Sequence, residues 1–240
     1  MFLKRIICVF GFFCCAFCYS QSAKEIFQKM GKQYSEAKPL QYKVGYVLFK
    51  DLDSKKVEES YNGVFYKNAQ SEMYTKIGST EILNTKKVNL KVSHPEKMVE
   101  INKPMPNYSG DFDMKPLLEL CTVEKCVDLK SFWEITLATK SFSGLPYSKI
   151  VVRISKTYFI QKQVFYYNTA TDFSKDYRKP DMHYPRLEVT YSSFNRNPIS
   201  ASIFNSNTYF TLSGKSIVLS QQLKKYEIVD QRSVANNNLR

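Results

Sequence analysis

Leu187-Glu188-Val189-Thr190-Tyr191 is the most regular alternation of apolar and polar side chains in this sequence. A period of two predicts an extended strand with one apolar and one polar face. Similar short segments, separated by polar turns, run from residue 42 to residue 101 and from residue 133 to residue 229. This spacing favours an antiparallel meander over alternating strands and helices. The sequence therefore predicts a mainly β protein with few helices.

The strands number about eleven, and each needs cover on its apolar face only. One strongly curved antiparallel sheet, a half-barrel, accounts for this count, and a two-sheet sandwich is the competing architecture. No long Pro/Ser/Gly-rich linker interrupts the chain, so a single β domain is expected over residues 21–232. Residues 233–240 are polar and are expected to form a flexible tail.

Two helices are predicted to cover the sheet. In residues 22–34 the apolar side chains fall at the spacing of one helix face, and Ser22 is placed to cap the first turn. This amphipathic helix needs an apolar surface beneath it. A short central helix is predicted at 116–121, where Pro116 stands at a first helical position.

Residues 1–20 have the pattern of a secretory signal peptide. A basic start at Lys4-Arg5 precedes an apolar run at 6–17, and small side chains precede a cleavage point between Ser20 and Gln21. The apolar run is shorter than the roughly 20 residues that a membrane-spanning helix needs. The mature chain is therefore expected in the periplasm, and association with the outer membrane is compatible with this location.

Cys121 and Cys126 are the only cysteines outside the first 20 residues, although the full chain has six. In an oxidising compartment this C-x4-C pair is predicted to form a local disulfide with a small stability gain, because the closed loop is short. Redox chemistry would favour C-x-x-C beside a βαβ unit, and a zinc site would need more ligands nearby. A lipid anchor at Cys18 is disfavoured because the bulky Phe17 stands where a lipoprotein signal has a small residue.

Removal of the signal peptide leaves 33 basic and 22 acidic residues, a formal charge of +11. The lysines fall mainly on polar strand faces or in turns, which is typical of a solvated surface. Nucleic acid is therefore not expected as a partner, despite the 35 aromatic residues of the chain. An anionic membrane surface or an acidic envelope protein suits this charge better.

No catalytic or metal-binding constellation is found in the sequence. His94 and His183 both lie next to strand breaks or prolines, and no G-x-S-x-G turn places a serine nucleophile. The acidic run around Gly110 lacks the glycine and glutamate positions of a calcium loop. The chain is therefore expected not to be an enzyme, and neither a cofactor nor a metal is expected; a hydrolase would need a site that the sequence does not display.

The order of elements resembles that of the bacterial outer-membrane lipoprotein carriers, the LolA/LolB-like superfamily. Local similarities are the glycine and aromatic strand at 62–66 and the late strand at 187–198, which ends in Asn197-Pro198 and is followed by Phe204. The similarity covers residues 22–204. It implies an open half-barrel whose apolar interior accepts acyl chains. The superfamily's buried arginine has no clear counterpart, and the strands after Phe204 are additional.

The function expected from these observations is that of a monomeric periplasmic carrier of a lipid or lipidated protein, with acyl chains held between the curved sheet and the helices. One-face periodicity gives the candidate lining residues: Phe27, Met30, Trp133, Ile135 and Leu137. Ordinary core packing explains the aromatic density equally well. The alternative function is that of a secreted β scaffold that binds another envelope protein through a strand edge or its basic face.

Overall fold

A computed structural model describes residues 22–105, 114–213 and 216–232 of the chain. Helix α1 (Ala23–Ser35) precedes β1 (Leu40–Phe49), β2 (Val57–Lys67), β3 (Met73–Ile77), β4 (Thr80–Asn84), β5 (Asn89–Ser93) and β6 (Met98–Asn102). Helix α2 (Met114–Leu120) leads into β7 (Cys121–Asp128), β8 (Phe132–Thr139), β9 (Tyr147–Ser155), β10 (Ile160–Tyr167), β11 (Thr171–Asp172), β12 (Met182–His183) and β13 (Arg186–Asn195). The C-terminal part holds 3-10 turns at Ala201–Phe204, Ser206–Thr208 and Gln221–Leu223, with β14 (Phe210–Ser213), β15 (Ser216–Leu219) and β16 (Glu227–Asp230).

Twelve of these strands form one curved, open sheet in the order β16-β6-β5-β4-β3-β2-β1-β13-β10-β9-β8-β7. The predicted fold class is thereby confirmed. Two hairpins, β11–β12 and β14–β15, stand outside this sheet. One edge departs from the antiparallel pattern, because β16 pairs with β6 in parallel. A parallel pair needs a long connection, and the rest of the chain between β6 and β16 provides it.

Strand β13, where the sequence alternates most regularly, lies in the interior of the sheet between β1 and β10. Val189 pairs with Tyr46 on one side and with Gln163 on the other, so these three side chains lie on the same face. The strand thus joins the meander β1–β6 to the later strands β7–β10.

The two halves of the sheet bury opposite faces. The apolar stripe of α1 packs on one face, here called the helix face, above buried side chains of β8 and β9. Phe65 of β2 belongs to this core, whereas its neighbour Tyr66 packs against a second apolar core. Successive strand residues point to opposite faces. The second core therefore lies on the other face of the sheet.

The second core is covered by the C-terminal segment 199–226. Its members are Leu83, Val88, Leu90, Val92, Val99, Ile101, Phe204, Tyr209, Phe210 and Leu223. The sequence predicted cover by the two helices only, so this additional layer was not expected. It arises because β4, β5 and β6 carry their fully buried apolar side chains on the face opposite to α1.

The C-terminal end of α1 is anchored by two basic side chains. Lys67, only 5% exposed, donates hydrogen bonds from Nζ to the carbonyl oxygens of Tyr34 and Glu36. Arg196 donates from Nη2 to the carbonyl oxygen of Gln33 at 2.9 Å. Positive charge is favourable at this end of a helix, where carbonyl groups lack intrahelical partners. Helix α1 is therefore fixed to the sheet from two sides.

The predicted signal peptide, the polar tail and the acidic run around Gly110 lie outside the described residues. Within the described ranges, no helix combines the length and the apolar character that crossing a membrane requires.

Candidate functional site

All five predicted lining residues lie in one apolar cluster between α1 and the sheet. Met30, Ile135 and Leu137 are completely buried, and Phe27 and Trp133 are 4% and 6% exposed. The structure thus brings together residues from α1 and β8 that are about 100 positions apart in sequence. Their role as the lining of a lipid cavity stays a prediction.

Aromatic rings close one end of this helix-face core. Tyr42 stacks on Phe65 with ring centroids 4.6 Å apart, and Phe159 stacks on Phe194 at 4.7 Å. Tyr34 meets Phe159 edge to face at 5.7 Å. These side chains surround the anchored end of α1, so an apolar ligand would have to enter elsewhere.

Helix α2 covers the core much more lightly than α1 does. It buries only Met114, while Leu117 and Leu118 pack against the helix-face core and stay half-exposed. Its polar attachment includes Lys140, whose Nζ donates to the carbonyl oxygen of Glu119 at 2.8 Å. This short helix therefore buries fewer side chains against the sheet than α1 does.

The helix face continues beyond α1 as a band of partly exposed apolar side chains, here called the apolar strip. Strand register places three members side by side: Phe165 pairs with Leu187, and Leu187 pairs with Leu48, whose partner on β2 is Glu59. Phe165 also packs against the helix-face core. The strip consists of Leu48, Tyr61, Ile77, Ile82, Phe165 and Leu187. It is an apolar surface that the described helices leave partly open.

The predicted Cys121–Cys126 disulfide is wrong, because both cysteines are free. Both lie on β7, five residues apart, and an extended strand separates such Cα atoms by roughly 15 Å, well beyond the reach of a disulfide. Burial raises the pKa of both thiols, which keeps them protonated and poorly reactive.

His94 takes part in a hydrogen-bonded network on the second core. Its Nε2 lies 3.0 Å from Glu81 Oε1, and its Nδ1 lies 2.9 Å from the hydroxyl of Tyr226. The network ties the C-terminal segment to β4 and the β5–β6 turn. In the described parts of the chain, no group of three or more His, Cys, Asp or Glu side chains could hold a metal ion.

His183 bridges two loops at one end of the sheet. Its Nδ1 lies 2.6 Å from Asp51 Oδ1, and its Nε2 lies 2.8 Å from Asp181 Oδ1. Asp181 also forms an ion pair with Lys50. Both ring nitrogens therefore face carboxylates, which is the arrangement that favours a charged imidazole.

The pKa of His183 is expected above the ordinary value of 6.5, because hydrogen bonds to Asp51 and then Asp181 stabilise its charged form. This interaction then stabilises the loops below pH 6.5 and is lost as the pH rises through the raised pKa. NMR titration of the His183 imidazole measures this pKa, and the variant His94→Gln shows which of the two histidine signals belongs to His183. Asp51→Asn should lower the midpoint. A wild-type midpoint at or below 6.5 would contradict the bridge.

Comparison with known proteins gives structural matches only. No protein-family model matches this chain, and no curated protein matches it. Solved structures that resemble it include an uncharacterized conserved protein from Thermus thermophilus, with a TM-score of 0.48 and 15% identity, covering 88% of this chain and 100% of that one. A LolA superfamily protein from Nitrosomonas europaea gives a TM-score of 0.33 and 12% identity, covering 78% of this chain and 99% of that one.

A putative outer membrane lipoprotein-sorting protein domain from Vibrio parahaemolyticus gives a TM-score of 0.36 and 15% identity, covering 76% of this chain and 96% of that one. These three similarities lie at 12–15% identity with TM-scores below 0.5, and the resemblance to the carrier superfamily stays a prediction.

Two features of the site were not predicted from the sequence. The first is the apolar strip, whose members were assigned to strands but not to a shared surface, because that requires the pairing register. The second is the pair Lys67 and Arg196 at the end of α1. The only sequence signal for Lys67 was its position directly after Phe65-Tyr66, at the end of β2.

Proposed function

We propose that this protein is a periplasmic, non-enzymatic carrier that binds an acyl chain of a lipid or lipidated protein on the helix face of its sheet. The observation that supports this most directly is the apolar strip, which extends the buried core onto a partly exposed surface. Burial of a methylene group contributes about 0.8 kcal/mol, so an acyl chain along the strip would gain substantial binding free energy. In this proposal the carrier works as a monomer.

The predicted lining residues would form the inner end of the binding site. Ile135 and Leu137 lie on β8, next to β9, while Phe165 on β10 connects this region to the strip. The anchored α1 would stay in place, and α2 would move aside as the acyl chain enters beneath Leu117 and Leu118. The site would thus have a fixed wall and a displaceable cover.

A fluorescent fatty acid binding assay on detergent-free mature protein tests this proposal. Leu48→Gln is expected to weaken binding about tenfold, because it places an amide in the apolar strip. Val47→Gln is the matched control, since Val47 lies next to it on β1, is also half-buried and points to the opposite face. Native mass spectrometry of the purified protein should also show a co-purifying lipid.

Equal binding by the two variants would argue against the strip as the binding surface. If the wild-type protein carries no lipid and shows no saturable fatty acid binding, the carrier proposal fails.

The alternative proposal, a scaffold for another envelope protein, is supported by the sheet edge at β7. Within the described residues this eight-residue strand pairs only with β8, which leaves one side of its backbone for an added strand. Co-precipitation of a stable protein partner from envelope extracts, abolished by Val123→Pro on β7, would favour the scaffold over the carrier.

A further inference from the structure

Three loops emerge from the same end of the sheet. They span residues 50–56 between β1 and β2, 140–146 between β8 and β9, and 168–185 between β10 and β13. The order β2-β1-β13-β10-β9-β8 places the strands that carry them side by side. We call them the end loops.

Direct contacts hold the end loops together. The backbone N–H of Asn168 donates to the carbonyl oxygen of Pro146 at 3.0 Å, which joins the second loop to the third. His183 contacts Asp51 at 2.6 Å, which joins the third loop to the first. The three loops therefore form one organised surface.

This surface exposes large apolar side chains on all three loops. They are Phe142, Tyr177, Met182, Tyr184 and Leu52, with exposed fractions of 107%, 82%, 54%, 51% and 39%. Phe142 lies in the β8–β9 turn, and its φ of 63° is a left-handed conformation that is unfavourable for a bulky residue. A side chain that is fully exposed on a strained backbone does not contribute to folding, which points to an interaction outside the chain.

The charge and shape of the end loops indicate the kind of partner. The loops contain seven basic and five acidic residues, so their net charge is only weakly positive. Their exposed apolar side chains are divided among the three loops: Leu52 on the first, Phe142 on the second, and Tyr177, Met182 and Tyr184 on the third. A protein partner would need a matching contact for each of them, whereas the boundary between headgroups and acyl chains accepts separate aromatic side chains without one.

We propose that the end loops dock the protein end-on onto a lipid bilayer, with Phe142 and Tyr177 entering the interfacial region. This inference goes beyond acyl-chain binding and does not depend on it. Leu48 and Leu187 of the apolar strip lie within two residues of the end loops. A docked protein would therefore hold the open part of the strip next to the membrane.

Vesicle binding of the mature protein tests the inference. The protein is expected to co-sediment with vesicles of phosphatidylcholine alone and with vesicles that also contain phosphatidylglycerol. Binding to both is expected because insertion of apolar side chains contributes more than attraction to anionic headgroups. Phe142→Ser should weaken vesicle partitioning about tenfold. Leu212→Ser is the matched control and should leave it unchanged, because Leu212 is 56% exposed on β14, outside the end loops.

Phe142→Trp reports the insertion directly. The only native tryptophan, Trp133, is 6% exposed and supplies a constant background. The fluorescence of the introduced tryptophan is expected to shift to shorter wavelengths when vesicles are added. Brominated lipids are expected to quench it. Phe142→Gly separates binding from folding, since glycine accepts a positive φ: it should be at least as stable as the wild type and should still lose vesicle binding.

Failure of the wild-type protein to bind vesicles, or binding that does not depend on Phe142, would overturn the inference. Capture of a protein partner through Phe142 without vesicle binding would also overturn it and identify the end loops as a protein interface. If the wild-type protein binds vesicles but does not bind the fatty acid, the proposed carrier function is refuted and the membrane-docking inference stands.

Discussion

Leu137→Ala is expected to lower the free energy of unfolding by about 3 kcal/mol, within the range seen when a buried leucine is truncated and a cavity remains. Leu137 is completely buried in the helix-face core beside Ile135 and Ile150. Urea denaturation of ligand-free protein measures the change. The matched control, Leu212→Ala, removes the same atoms from a side chain that is 56% exposed and should change stability by no more than about 0.5 kcal/mol.

A loss of less than about 1 kcal/mol from Leu137→Ala would show that this region is loosely packed rather than a solid core. The result also bears on the carrier proposal. If added fatty acid restores part of the lost stability in this variant, the ligand reaches the inner end of the site, because binding to the native state raises its stability.

Glu81→Leu is also expected to lower the free energy of unfolding by about 3 kcal/mol, because one buried and two half-buried donors lose their shared acceptor. Glu81 Oε2 accepts hydrogen bonds from the hydroxyls of Tyr74 at 2.9 Å and Tyr209 at 2.7 Å. Oε1 lies 3.0 Å from His94 Nε2. Leucine has a suitable size but offers no acceptor. Tyr209 belongs to the C-terminal segment, so the attachment of this segment to the sheet should be weakened most.

Hydrogen exchange would locate this damage. In Glu81→Leu the amides of residues 201–226 should exchange faster, while those of α1 keep their protection, because α1 packs on the other face of the sheet. Glu124→Leu on the exposed part of β7 is the control and should leave both regions unchanged. Uniformly faster exchange along the chain would contradict an attachment role specific to the C-terminal segment.

The same carboxylate makes the attachment sensitive to acid. Burial by itself would raise the pKa of Glu81, but hydrogen bonds from His94, Tyr209 and Tyr74 together hold it below the ordinary 4.5. Its contribution to stability is therefore fully present above pH 4.5 and is lost as the pH falls through the lowered native value.

Strand alternation and helix periodicity predicted much of the fold because both are local properties. The Leu187–Tyr191 alternation lies within β13, and the apolar stripe of residues 22–34 matches the buried face of α1. Phe27, Met30 and the β8 residues were grouped correctly into one cluster from one-face periodicity. The predicted cover by two helices was incomplete, since β4, β5 and β6 bury the other face of the sheet.

The disulfide was wrongly predicted and the parallel strand pair was missed because local sequence patterns do not specify contacts between distant parts of the chain. The C-x4-C spacing suggested a disulfide only while Cys121 and Cys126 were assigned to a loop or turn; once an extended strand holds both, they cannot meet. The parallel pairing of β16 with β6 depends on where the chain returns after the second core, which no segment of the sequence specifies alone.

The sequence by itself determined the β class, the amphipathic first helix and the apolar residues that face it, because periodicity reports which side of an element is buried. Tertiary structure alone decided which face each half of the sheet buries, how the apolar strip runs across neighbouring strands, and that three distant loops share one end. These features depend on strand order and register, which bring together residues that are far apart in the chain.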